Sequence, residues 1–169
     1  MDSSPLSLKS PESKGFFSNL FDFTNDKEIN TTFASMKSQP NDAKTQQEAC
    51  DQLHKLAEKS DKNKSYIVKN GGIALIVSAM RNHSNHPDVQ ASGCEVLSML
   101  LNDREQEISR LIESDGLNQI KLAMETHPNS AQVQSQTIHV LIKIASFNQF
   151  HNLLREQKFI DLALVAAKA

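Results

Sequence analysis

Histidine and cysteine are the residues of this 169-residue chain whose spacing most suggests chemistry. His83 and His86 share one predicted turn, and His127 lies 44 residues after His83. A zinc ion takes about four ligands at close range, and no cysteine accompanies the histidines in their turns. We therefore predict no metal site, and we expect the turn histidines to be exposed to solvent.

Cys50 and His54 have the spacing of a nucleophile and its base. They lie one helical turn apart, so the imidazole is within reach of activating the thiol. Cys50 nevertheless falls on the apolar stripe of its predicted helix, and a buried thiol is inert. We expect Cys50 and Cys94 to be small core residues in the cytoplasm or another reducing intracellular compartment. The sequence predicts no catalytic residue and no cofactor-binding residue.

Phosphate, nucleic-acid and membrane sites are not indicated. Gly71-Gly72 stands at a helix junction, whereas a phosphate loop follows a strand. The formal net charge is −2, and a strongly basic stripe, the usual footprint of nucleic-acid binding, is missing. No apolar run approaches the roughly 18 residues that are needed to span a bilayer. We expect neither a nucleic-acid partner nor a membrane span.

The elements that must position these residues repeat every 44 positions, three times without a gap. A period of this length is typical of stacked supersecondary units rather than of a globular core. It also makes an extended binding surface a better expectation than a catalytic pocket. The columns of identical residues are Met36, Met80 and Met124; Asn41, Asn85 and Asn129; Gln46, Gln90 and Gln134; and Leu53, Leu97 and Leu141.

The pattern within each unit is helical. A short helix ends at a glycine junction such as Gly71-Gly72, because glycine accepts the left-handed conformation found there. A second helix ends at a turn that contains proline, and a long third helix follows with apolar residues on one stripe. The predicted domain covers residues 26–169, in units of about 27–60, 61–103 and 104–147 and a partial unit at 148–169.

Residues 1–25 differ from the rest and predict a disordered leader, rich in Ser, Pro and Lys at its start. Within it, residues 16–23 hold four of the eight phenylalanines. One helical turn would bring most of these apolar residues to a single face. Two interpretations stay open: the segment caps the N-terminal end of its own solenoid, or it docks on another protein. The residues concerned are Phe16, Phe17, Leu20, Phe21 and Phe23.

The junctions and third helices resemble the armadillo repeat. Lys69-Asn70-Gly71-Gly72-Ile73 and Ser114-Asp115-Gly116-Leu117 are similar to the family's junction between first and second helices. The segments that begin at Asp88 and Gln132, each with Val-Gln near the start and Leu near the end, are similar to its third helix. The resemblance covers about 27–169. It implies a right-handed all-α solenoid whose third helices line a concave groove for extended peptides or partner helices.

Two ladders of the family's nuclear-import adaptors are absent. Where those adaptors carry a tryptophan on each third helix and an asparagine four residues later, this chain has other residues, so a basic import signal is not the expected ligand. We expect the same columns to line a groove of mixed charge. The tryptophan column holds Asp51, Glu95 and His139, and the asparagine column holds Lys55, Met99 and Lys143.

These observations predict a non-catalytic protein–protein interaction module, an adaptor or scaffold that binds an extended peptide or helix of a partner. The alternative is a structural subunit fixed permanently in a larger assembly. An enzyme would require a cluster of titratable groups that the sequence does not show. The last unit is nearly all apolar from Ile160 to Val165. It either caps the stack or leaves an adhesive end, through which a homo-oligomer is possible.

Overall fold

The computed structural model describes the backbone of residues 13–101 and 104–166, and the side chains of 25–101 and 104–164. Within these ranges every regular element is a helix. The helices are α1 Ser13–Ser38, α2 Ala43–Lys59, α3 Asp61–Lys69, α4 Gly72–Asn82, α5 Pro87–Leu100, α6 Glu105–Glu113, α7 Gly116–Thr126, α8 Ala131–Ala145, a 3-10 turn Asn148–Phe150, α9 His151–Glu156 and α10 Phe159–Ala166.

The helices form triplets in the predicted order, and the chain is an all-α solenoid. In the second unit α3, α4 and α5 are the first, second and third helices, and α6, α7 and α8 follow as the third unit. In the first unit α1 and α2 take the places of the second and third helices. The third helices stack in order, with α2 packed along α5 and α5 along α8.

The core lies between successive tiers. Leu53, Leu97 and Leu141 occupy matching places on α2, α5 and α8, and all three are buried. Each amphipathic helix therefore buries its apolar stripe against its neighbours, which is how a solenoid is stabilised. The N-terminus of α2 is capped by Asp42, whose carboxylate accepts a hydrogen bond from the backbone N–H of Thr45 at 2.9 Å.

The junction between first and second helices has the same left-handed backbone in three units. The φ angle is +83° at Gly71, +65° at Asp115 and +61° at Lys158. The next residue, Gly72, is needed for another reason: a Cβ there would stand 2.7 Å from the carbonyl oxygen of Ile67. The glycine pair therefore combines a turn with a close approach of two helices.

The spacing of methionine and glutamine that recurs in each unit has a hydrogen-bonding cause. In the second unit the buried Gln90 amide donates to the carbonyl oxygen of Met80 at 2.8 Å and to that of His83 at 2.9 Å. These carbonyls end the second helix, where backbone acceptors lack helical partners. We call this arrangement the glutamine clasp. It recurs from Gln46 to Met36 and Gln39, and from Gln134 to Met124 and His127.

The exposure expected for the turn histidines was wrong for His83, which is only 6% exposed. Its Nε2 lies 2.9 Å from the carbonyl oxygen of Pro40 in the preceding turn. His127 is half-buried and repeats the contact one unit later, with Nε2 2.7 Å from the carbonyl oxygen of Ser84. The turns stack on each other, and a histidine bridge joins each turn to the previous one. Only His86 matches the expectation of exposure.

Helix α1 crosses the expected boundary between leader and domain. Its backbone is helical from Ser13, inside the segment expected to be a disordered leader, and continues without a break to Ser38. Ile29, Phe33 and Met36 on its second half are buried. Residues 1–12 lie outside the described residues, and so do the side chains of Phe16, Phe17, Leu20, Phe21 and Phe23.

Candidate functional site

The six residues predicted to line a groove lie on the third helices. Helix α2 carries Asp51 and Lys55, α5 carries Glu95 and Met99, and α8 carries His139 and Lys143. Because these helices stack side by side at a period of 44 residues, the two columns run across the tiers. Each of the six side chains is exposed or half-buried, so all are within reach of solvent.

Three of the six residues meet in one cleft between α5 and α8. The cleft has a volume of about 420 Å³, and Met99, His139 and Lys143 line it. Asp51, Lys55 and Glu95 are not among its described lining residues. The structure thus brings together the second half of the predicted site, and the first half remains a row of separate side chains on α2 and α5.

Three further residues line the same cleft and were not predicted: Lys64, Ser98 and Ile142. Ser98 and Ile142 stand next to the predicted Met99 and Lys143, one residue earlier on their helices. Successive residues of a helix are about 100° apart around its axis. A cleft wide enough to include both directions is therefore lined by both residues of each pair. Lys64 comes from a first helix, α3, and no pattern in the third helices indicates it.

The cleft combines cations with apolar surface. Lys64 and Lys143 supply two ammonium groups, while Met99 and Ile142 supply apolar contacts. The Lys64 Nζ lies 3.0 Å from Oδ1 of Asp61, which is itself well exposed. An ion pair open to water on one side contributes little to folding. The lining therefore suits a ligand that offers both a carboxylate and an apolar side chain.

The two cysteines do not form a reactive site. Both are free thiols and both are fully buried. Burial, with a smaller contribution from the Asp51 carboxylate, raises the pKa of Cys50 to about 12. Burial also raises the pKa of Cys94, and the nearby Cys50 adds to the effect. At neutral pH neither thiol ionises, so His54 has no thiolate to stabilise.

Metal ligands do not gather either, within the part of the chain that the structure describes. No three His, Cys, Asp or Glu side chains come together there as a candidate metal site. A separate search for membrane spans finds no described helix that combines the length and the apolar character for crossing a bilayer.

The C-terminal end of the solenoid presents apolar side chains. Ile142 on α8 is 59% exposed, and Ile160 and Leu164 on α10 are 54% and 56% exposed. A second cleft of about 180 Å³ lies between α8 and α10. Its lining is wholly apolar: Ile138, Leu141, Ile142, Ala145, Leu154, Phe159, Ile160 and Ala163.

Comparison with known proteins agrees with this architecture. A family model described as LRRK2 ARM repeat matches residues 25–165. Because the match spans most of the chain, the chain belongs to that armadillo repeat family. A search of the curated proteins and a search of the solved structures each found no match.

Proposed function

We propose that this LRRK2-type armadillo chain is a protein–protein interaction module, an adaptor or scaffold that holds a partner polypeptide against its third helices. Armadillo repeats are an interaction fold, and a solenoid offers side chains at a regular rise along an extended surface. The single observation that carries the proposal is the cleft where Met99, His139 and Lys143 meet on stacked third helices.

The chemistry of the cleft supports a peptide that carries both charge and an apolar side chain. Lys64 and Lys143 stand beside Met99 and Ile142, so an acidic residue next to a leucine-like residue would find complementary groups. The remaining columns on α2 and α5 extend this surface toward the N-terminal end. An elongated ligand that spans several tiers gains contacts from each of them.

The proposal includes a role without catalysis, in the cytoplasm or another reducing intracellular compartment. Both cysteines are buried thiols with raised pKa, which supports a structural use of the two residues. Their free state also suits a reducing environment. The near-neutral net charge of −2 supports a protein partner over nucleic acid.

Quantitative affinity purification from a cell lysate tests the proposal. The bait is the full chain, compared with M99E/H139E, which places two carboxylates in the cleft and repels an acidic partner. Leu122→Glu is the matched control, because Leu122 is exposed on α7 and does not line the cleft. We expect at least one protein to be retained by the full chain and by L122E and lost with M99E/H139E.

A photo-crosslinking amino acid at position 139 then shows whether the retained protein contacts the cleft directly. The same group at position 122 is the control. If no protein distinguishes M99E/H139E from L122E, or if crosslinks form equally at both positions, the third-helix cleft is not the binding surface. The four-fold Phe-to-Ala variant at 16, 17, 21 and 23, run in parallel, reports whether the N-terminal segment takes part.

A second candidate, a subunit fixed permanently in a larger assembly, is favoured by the exposed apolar residues Ile160 and Leu164. Large apolar faces are typical of obligate interfaces. Gentle purification from the native source separates the two candidates. A stoichiometric complex that survives dilution supports the fixed subunit, and partners that exchange below stoichiometry support the adaptor.

A further inference from the structure

The cleft between α5 and α8 is rich in cations, although the net charge of the chain is −2. Its described lining residues include Lys64, Lys143 and His139, and no aspartate or glutamate is among them. The chain as a whole has 20 acidic residues against 18 lysines and arginines. The positive charge is therefore a local feature of this cleft, and comparison of the repeat units shows how it arises.

Lys64 departs from the repeat. The residue 44 positions later, at the equivalent place on α6, is Ile108, which is fully buried in the core. The side chain of Lys64 is only 18% exposed, so its aliphatic stem packs where the next unit has an apolar side chain. A charge at such a position costs desolvation free energy. Departures of this kind from a regular pattern are expected at functional sites.

The ammonium group of Lys64 is only partly used within the chain. Its Nζ donates to Oδ1 of Asp61 at 3.0 Å, and an ammonium group has three donors. The Asp61 side chain is 79% exposed, so water screens this ion pair. Glu107 lies on the other side of Lys64, where it lines a separate space of about 20 Å³, and it is not a described lining residue of the cleft.

His139 departs from the repeat in the same direction. The residues of its column on α2 and α5 are the carboxylates Asp51 and Glu95. The third tier therefore replaces a negative charge with an imidazole, a group that takes up a proton within the physiological pH range. Lys143 follows His139 by four residues, which places the two on one face of α8. Two separate departures from the repeat thus make the same cleft more positive.

These groups match a phosphate better than a carboxylate. A phosphorylated side chain carries a charge of about −1.5 to −2 and three acceptor oxygens, whereas a carboxylate has a single charge on two oxygens. Two ammonium groups and an imidazole supply nitrogen donors from α3 and α8, and charge-assisted hydrogen bonds are the strong ones. Met99 and Ile142 add apolar surface to the same lining. This combination favours a phosphate on a polypeptide, with an apolar residue beside it, over a free ion.

We propose that the cleft between α5 and α8 binds a phosphorylated segment of a partner protein. The phosphate lies against Lys64, His139 and Lys143, and a neighbouring apolar side chain packs on Met99 and Ile142. This inference rests on the proposed function, because it names the ligand class of the same site.

The probes are fluorescein-labelled nonapeptides of alanine and glutamine that contain one leucine and a central phosphoserine, glutamate or serine. Four versions place the leucine one or two residues before or after the centre. Fluorescence anisotropy with the full chain measures their affinities at an ionic strength of about 0.15 M, where long-range attraction is screened beyond about 8 Å. We expect at least one phosphoserine peptide to bind at least tenfold more tightly than its glutamate and serine counterparts.

Lys64→Ile places in the cleft the residue type that the next unit has at this position. We expect K64I to weaken binding of the phosphoserine peptide at least tenfold. Lys69→Ile is the matched control, because Lys69 is exposed on the same helix and does not line the cleft. K69I should change the affinity less than threefold. His139→Glu, at an exposed position, should abolish phosphoserine binding and keeps the test decisive if K64I does not fold.

Equal affinity for the phosphoserine and glutamate peptides, or equal losses in K64I and K69I, would overturn the proposal. Absence of saturable binding by every phosphoserine peptide would also overturn it. The proposed function has a separate readout, since the affinity purification with M99E/H139E uses no phosphopeptide. If that purification identifies a partner while the chain shows no preference for phosphoserine, the proposed function stands and phosphate is not the group recognised.

Discussion

Gln90 shows what a single residue contributes to this repeat. Its side-chain amide is buried and donates hydrogen bonds to two backbone carbonyl oxygens at the end of α4. Gln90→Met keeps the length of the side chain and removes both donors. We expect a loss of about 1–3 kcal/mol in the free energy of unfolding, because buried carbonyls would be left without partners.

Urea unfolding followed by circular dichroism measures the effect, and Gln52→Met is the control. Gln52 is exposed on α2, so its replacement should change the free energy of unfolding by less than about 0.5 kcal/mol. Equal stability of Q90M and the unsubstituted chain would show that the glutamine clasp contributes nothing to the fold.

The buried thiols predict a dependence of stability on pH. Cys50 has an ordinary pKa of 9.0 when unfolded and about 12 in the folded chain. Since the folded pKa is the higher one, the unfolded state loses its proton first as pH rises. The stabilising contribution is complete below about pH 9 and is lost between about 9 and 12.

We therefore expect the free energy of unfolding to fall by up to about 1.4 kcal/mol per pH unit for each thiol above pH 9. Urea unfolding at pH 7.5, 9 and 10 measures the slope, and the C50A/C94A variant is the control, in which this part of the slope should vanish. A slope that persists unchanged in C50A/C94A would assign it to other groups.

At the scale of elements, the left-handed helix junction predicts that substitutions at Gly71 and Lys158 have opposite effects on stability. The two residues occupy equivalent places in their units. A Cβ at Gly71 would meet no atom within 4 Å, so the cost of Gly71→Ala is conformational alone, about 1 kcal/mol or more at a φ of +83°. Lys158 already bears that cost at a φ of +61°. We expect Lys158→Gly to raise the free energy of unfolding by up to about 1 kcal/mol.

Thermal and urea unfolding of the two variants provide the measurement. Gly71→Asn is a useful intermediate, because asparagine adopts the left-handed conformation more readily than alanine, and it should lose less than G71A. If G71A is harmless, or if K158G is destabilised, backbone strain does not determine the stability of this junction.

For the whole molecule, the histidine bridges are the polar links between the turns of successive units. His83→Ala removes the bond to the Pro40 carbonyl. Because a solenoid is held by contacts between neighbours, we expect amides of α1 and α2 to exchange with solvent sooner than those of α5 and α8. Hydrogen exchange with mass spectrometry resolves the units. His139→Ala, at an exposed position on α8, is the control. The order in which the units exchange their amides should be the same in this variant as in the unsubstituted chain.

Most of the fold can be predicted from the 44-residue repeat. Identical residues 44 positions apart place Leu53, Leu97 and Leu141 on successive tiers, and the structure confirms that they are buried together. The period does not show that turns contact turns, and for that reason the burial of His83 was missed. It also gives no sign of the left-handed backbone at Lys158, because neither lysine nor its neighbours mark that conformation in sequence.

The candidate site could be predicted from the sequence only in part. Met99, His139 and Lys143 could be placed from their columns, since a column fixes which face of the stack a residue occupies. Lys64 could not, because it reaches the cleft from a first helix and depends on how the triplet closes. A repeat column predicts which face of the third helices a residue occupies. This cleft is lined by residues of both first and third helices.

The glutamine clasp and the histidine bridge connect different parts of the chain. Both partners of each clasp lie within one unit, but each bridge reaches back to the unit before. A segment cut after a third helix and duplicated in tandem would carry its own clasp intact and would bring the histidine that fastens it to its predecessor. Tandem duplication of the segment that holds the second or the third unit would therefore lengthen the stack by one unit and reproduce both contacts.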